Sequence, residues 1–138
     1  VFAYVGTCGQ ELEQWSKECD QDFLIQYWAD RIKRAYLQQG TQAFFRYLKE
    51  DVGLGSSFTR MNPGSLEAWP ITEQKKLFAC IGTEEIREKI GVSLTATMLM
   101  LPSKSVSGIA FSGEGKFENC QFCPRTDCLE RRAPSLVI

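Results

Sequence analysis

Val92-Ser93-Leu94-Thr95-Ala96-Thr97-Met98-Leu99-Met100-Leu101-Pro102-Ser103-Lys104-Ser105-Val106-Ser107-Gly108-Ile109-Ala110-Phe111 is the stretch on which the fold class turns. Val92, Leu94, Ala96, Met98 and Met100 alternate with Ser93, Thr95, Thr97 and Leu99. A period of two gives a strand one apolar and one mostly hydroxylated face. Pro102-Ser103-Lys104 supplies a turn, and Ser105 to Phe111 reads as the returning antiparallel partner. Ser105 and Ser107 then share one face, where hydroxyls bond across the hairpin or meet water, and Lys104 sits at the exposed tip.

Upstream of the hairpin the period is mostly helical. Val1 to Val5 is a short apolar run ending in Gly6-Thr7-Cys8-Gly9, a strand feeding a turn. Leu12, Trp15 and Cys19 follow at helical spacing. From Asp20, which can cap a helix, Leu24, Trp28, Ile32 and Tyr36 form an apolar stripe with Arg31, Lys33 and Arg34 on the other side. Gly40-Thr41 interrupts the pattern before Phe44, Phe45 and Leu48, so Thr41 caps a new helix or Gly40 marks a kink. Residues 53–70, rich in Gly, Pro, Ser and Thr, have no period, and aperiodic loops of that length are often functional. Thr72 can cap a short helix carrying Leu77, Phe78 and Ile81, and a second runs from Glu84 to Ile90 before Gly91. Trp15, Tyr27, Trp28 and the three Met residues fall at spacings expected of a core. The pattern predicts an α+β fold, a twisted antiparallel sheet with long helices packed against it.

A chain of 138 residues with 43% hydrophobic and 24% charged residues is expected to form one ordered domain. Its formal charge of −1 lacks the basic footprint of a nucleic-acid binder. No apolar run reaches the roughly 18 residues that a membrane span needs, and no secretory leader is recognisable, so a cytoplasmic protein without a membrane partner is expected. Val1 is not an initiator residue, and an N-terminal part is expected to be missing. The chain has no histidine, which removes Ser-His-Asp and Cys-His machinery and any imidazole-held metal.

Six cysteines in a chain of long helices fit a reduced compartment better than a disulfide scaffold. Three of them, Cys120, Cys123 and Cys128, lie within nine residues and are the candidate metal ligands. Three alternatives stand at this level. The thiolates hold an iron–sulfur cluster such as [4Fe-4S], with Cys8, Cys19, Cys80 or a partner giving a fourth ligand; they hold zinc; or they are reduced thiols without a metal. Residues 119–138 form this Cys-rich segment, and residues 1–118 the domain before it.

The ordered motifs Arg60-Met61-Asn62-Pro63-Gly64, Trp69-Pro70, Lys75-Lys76-Leu77-Phe78, Gly91-Val92-Ser93-Leu94-Thr95 and Ser105-Val106-Ser107-Gly108-Ile109 carry a resemblance. Together with the late cysteines and Arg131-Arg132-Ala133-Pro134, they resemble the activation domain of vitamin B12-dependent methionine synthase. The chain is most similar to the short free-standing relatives of that domain that accompany corrinoid proteins. The resemblance implies binding of S-adenosylmethionine (AdoMet) and support for reductive methylation of cobalamin. The corrinoid would be held by a partner, a corrinoid-binding protein or methyltransferase, and the electron would come from a donor protein. It places Arg60 on the AdoMet carboxylate, where a planar guanidinium suits a bidentate grip, with Asn62, Pro63, Gly64 and Phe117 as further contacts. Ser65 stands where the family often has tyrosine, and Glu118 where it has an aromatic residue. An alternative is a corrinoid-protein-binding or Fe–S electron-delivery protein that no longer binds AdoMet.

Overall fold

The computed structural model of the chain describes residues 1–19, 22–53, 55, 58–113, 118–123, 125–128, 131 and 133–136. It is a mixed α+β fold in which a three-stranded antiparallel sheet lies between a long helix and a pair of short ones. The strands are β1 (Phe2–Thr7), β2 (Phe58–Met61) and β5 (Ser105–Ser112), in the order β1-β5-β2. β5 is central because its residues are small enough to be crowded on both sides. Gly108 faces Tyr4 on β1, and a Cβ there would sit 2.8 Å from Asn62 Nδ2 and 2.9 Å from Tyr4 Oη.

The predicted hairpin of residues 92–111 does not form. Ser105–Ser112 pairs instead with β1 (Phe2 opposite Ala110, Thr7 opposite Ser105) and with β2 (Phe58 opposite Ser112). Residues 92–101 make a smaller hairpin of β3 (Ser93–Leu94) and β4 (Met100–Leu101). The hydroxyls in the run decide this. Thr95 exchanges backbone bonds with Leu99 and Met98, and its Oγ1 accepts from the Leu99 N–H at 3.1 Å, so Thr and Ser capture the local backbone and close a turn where alternation alone implied strand. Ser105 Oγ does bond across a strand pair, to Thr7 Oγ1 at 3.0 Å. Lys104 is tied to Asp30 at 2.8 Å rather than exposed at a tip.

Helices α1 (Gln10–Glu18) and α2 (Phe23–Glu50) follow β1. Asp22, not Asp20, caps α2: its Oδ1 accepts from Leu24 N at 2.8 Å, and Asp20 lies outside the described residues. α2 passes through Gly40 unbroken, with Thr41 Oγ1 donating back to the Leu37 carbonyl at 2.7 Å. Its C-terminal half packs Phe44, Phe45 and Leu48 on Tyr4, Ala110 and Val106 of the sheet. On the other sheet face, α3 (Gln74–Ile81) and α4 (Thr83–Ile90) bring Phe78, Ile81 and Ile86 against Val5 and Val92. Thr72 lies within the 3₁₀ turn Ile71–Glu73 that leads into α3 and provides no cap.

In the N-terminal half of α2 the expected polarity is inverted. Leu24, Trp28, Ile32 and Tyr36 are exposed, whereas Ala29 and Lys33 are buried. The Lys33 ammonium pairs with Glu13 of α1 at 3.1 Å, which offsets the burial of its charge and lets its aliphatic stem fill the α1–α2 contact. Trp15 and Tyr27 are likewise exposed, while Met61, Met98 and Met100 are half-buried. No helix among the described residues is long and apolar enough to cross a membrane.

Candidate functional site

The segment that sequence patterning left as a loop contains β2, and β2 carries Arg60. Antiparallel pairing sets Arg60 opposite Ala110, whose side chain is a single methyl. That leaves room for the guanidinium to lie over Phe45 of α2, its central carbon 4.6 Å from the ring centroid. Phe58, two residues earlier on the same face, stacks on that ring at 5.3 Å and an interplanar angle of 21°. Phe45 also meets Tyr4 edge-on at 5.1 Å. The ring is thus immobilised on three sides and gives the guanidinium a cation–π seat, a contact worth about 0.5–2 kcal/mol depending on desolvation.

Directly after β2, Asn62-Pro63-Gly64-Ser65 closes a turn in which the Ser65 N–H donates to the Asn62 carbonyl at 3.1 Å. Pro63 at the second position and Gly64 at φ 82° in the third define a type II turn, and Pro63 is buried. The Gly64 N–H donates to the Trp69 carbonyl at 2.8 Å, closing a short loop around Leu66.

Asn62 serves this geometry with its side chain. Its Nδ2 donates to the Ser107 carbonyl at 2.7 Å and to Tyr4 Oη at 3.0 Å, which uses both amide hydrogens. Its Oδ1 lies 3.0 Å from the carboxamide of buried Asn119. With that carboxamide turned over, Asn119 would instead donate to the Arg60 carbonyl at 3.3 Å and accept from the Asn62 N–H at 3.2 Å. Either orientation fastens the C-terminal segment to β2, as does the parallel bridge between Arg60 and Glu118. Sequence reasoning set Asn62 among the ligand contacts; in the fold its side chain holds the turn that follows Arg60. Arg60, Asn62, Pro63 and Gly64 are therefore brought together, and Phe117 lies outside the described residues.

The C-terminal segment is organised by Arg131. Nη1 donates to the carbonyls of Cys120 and Ala133, and Nη2 to those of Cys123 and Arg125. In the sequence Arg131 counts only as part of the motif Arg131 to Pro134; its place beside a Cys-rich stretch, where carbonyls lack regular partners, was the available signal for this clamp. Cys120, in the single-turn α5 (Asn119–Phe122), and Cys123 and Cys128 are half-buried and in no disulfide. Among the described residues no three Cys, Asp or Glu side chains come together as a metal-binding group.

A second polar cluster joins β1, α1 and α2. Burial alone would raise the Glu13 carboxyl, but the hydrogen bond and charge of Lys33, with the Ser103 hydroxyl, outweigh it and hold Glu13 below the usual carboxylate range. Burial and then the Glu13 charge push the nearby Cys8 thiol up, against a smaller opposing effect of Lys33. A cavity of about 250 Å³ opens between β1 and α2, with Tyr4, Gly6, Leu37, Thr41 and Phe44 in its wall; Arg60 does not line it.

The chain matches no protein-family model, no curated protein and no solved structure.

Proposed function

We propose that the chain carries an AdoMet-binding reactivation module, similar in fold to the activation domain of B12-dependent methionine synthase, that acts on a corrinoid held by a partner protein. The observation that carries this is the seat of Arg60: a guanidinium placed over Phe45, at the end of a strand, with a type II turn beginning two residues later. A fixed planar fork beside backbone turned by Pro63 and Gly64 suits the carboxylate and ammonium end of an amino-acid ligand. When bound, AdoMet supplies an electrophilic methyl group that the reduced cobalt takes up as S-adenosylhomocysteine leaves, the reducing electron coming from a separate donor protein. Arg60 would pair with the methionine carboxylate, Phe45 would keep its guanidinium in place, and Asn62 would set the turn against the sheet. No protein general base is needed, because cobalt is the nucleophile, and this suits a chain without histidine. Calorimetric titration with AdoMet, with and without Arg60→Ala, tests the proposal.

A further inference from the structure

The N-terminal half of α2 presents an apolar ridge to solvent. Leu24, Trp28, Ile32 and Tyr36 recur every four residues and are 61, 57, 38 and 60% exposed. Phe23, Ile25 and Tyr27 beside them are 86, 49 and 51% exposed. Tyr27 meets Trp28 edge-on at 5.6 Å, so the aromatic part of the patch is continuous. At about 200 Å² per large side chain, the seven together expose on the order of 800 Å², about 530 Å² of it from Leu24, Ile25, Trp28, Ile32 and Tyr36, which share one helix face. The largest apolar patch of a monomer is about 300–600 Å², whereas each side of a standard interface contributes about 800 Å². The ridge cannot be satisfied by rolling α2 over. Its opposite face already holds Ala29 and the Lys33–Glu13 pair, and turning that face outward would break the pair.

We propose that the ridge is a homodimer interface in which two copies of α2 pack antiparallel about a two-fold axis midway between Trp28 and Ile32. The sequence along the ridge is self-complementary in that register. Leu24 meets Tyr36 of the second copy, Trp28 meets Ile32, and Ile25 meets the exposed Ala35. Each aromatic side chain of the ridge is opposed by an aliphatic one, the alternation of large and small that lets two surfaces interdigitate. Parallel pairing would set Trp28 against Trp28 and Tyr36 against Tyr36. Rows of side chains four apart on both helices interlock near a crossing angle of about −50°, which centres the contact on Trp28 and Ile32, the middle of the patch. Arg31, exposed beside the ridge, falls at the solvated rim. The dimer goes beyond the AdoMet reading and does not depend on it.

Sedimentation equilibrium of the chain across the low- to mid-micromolar range tests this, with far-UV circular dichroism as the check on folding. The expected result is a concentration-dependent dimer whose dissociation constant rises about thirtyfold or more in Trp28→Glu, as for an aromatic hot spot, with an unchanged spectrum. Leu24→Lys and Tyr36→Glu should each weaken the dimer, and the double variant should recover it, because the antiparallel register sets each lysine against a glutamate. A monomer at every concentration would overturn the proposal, as would a dimer indifferent to Trp28→Glu. A double variant weaker than either single change would overturn the antiparallel register. Burial of Trp28 seen by fluorescence only on adding a different polypeptide to a monomeric chain would assign the ridge to another partner and overturn the proposal as well.

Discussion

Asn62 and Asn119 meet carboxamide to carboxamide at 3.0 Å, so the segment bearing three of the cysteines is fastened to the residue two places beyond Arg60. Asn62 also reaches the Ser107 carbonyl and Tyr4 Oη, which makes it the junction of β1, β2, β5 and the C-terminal segment. Asn62→Ala would remove these buried hydrogen bonds together and is expected to cost about 2–3 kcal/mol. Urea unfolding measures this, and a loss below about 0.5 kcal/mol, the range of an ordinary surface change, would contradict the network.

Two glycines differ in what they tolerate. Gly108→Ala drives a methyl into the Met61 carbonyl, Asn62 and Tyr4 and is expected to cost about 3 kcal/mol or to prevent folding. Gly64→Ala must hold the turn at φ 82° and meets Ile71 at Cδ1 (3.1 Å) and Cβ (3.2 Å) rather than a close backbone atom, and is expected to cost about 1–2 kcal/mol. Thermal unfolding of both variants should rank them in that order.

The Glu13–Lys33 pair gives stability a pH signature. Glu13 is held below its usual value of 4.5, so its contribution is complete above about that pH and is lost as pH falls through the folded-state value. The stability gap between the protein and Glu13→Gln should be constant from neutral pH down to about 5 and then shrink. At neutral pH Glu13→Gln leaves a buried ammonium without its counter-ion and should cost about 2 kcal/mol, whereas Lys33→Met should cost less. A gap that widens on acidification would contradict the pairing.

Thiol reactivity should follow the same cluster. Cys80 is exposed, while Cys8 is half-buried with its thiol raised by burial and by Glu13. Mass-spectrometric alkylation near neutral pH should label Cys80 before Cys8, and Glu13→Gln should quicken labelling of Cys8.

The fold class was legible because Val1 to Val5, residues 105–111 and the 3.6-residue periods are strong signals. The topology was not. β5 belongs between β1 and β2, and what selects those partners is the fit of Gly108 and Ala110 under Tyr4, Asn62 and Arg60, a contact between residues far apart in the chain. β2 was missed because four residues set among Gly, Ser and Pro show no period. In α2, amphipathic patterning identified the helix but not which face turns inward, since a lysine whose partner lies 20 residues away reads as surface. The grouping of Arg60 with Asn62, Pro63 and Gly64 follows from chain proximity, whereas the Phe45 seat and the Arg131 clamp arise from tertiary packing alone.

The seat of Arg60 on Phe45 is the centre of the functional account, and calorimetric titration of AdoMet into the purified chain tests it most directly. Saturable, micromolar binding is expected, abolished in Arg60→Ala with the circular dichroism spectrum unchanged and weakened about three- to tenfold in Phe45→Leu, the equivalent of losing a modest cation–π contact. No heat of binding from the folded protein, or binding equally tight in Arg60→Ala, would contradict it.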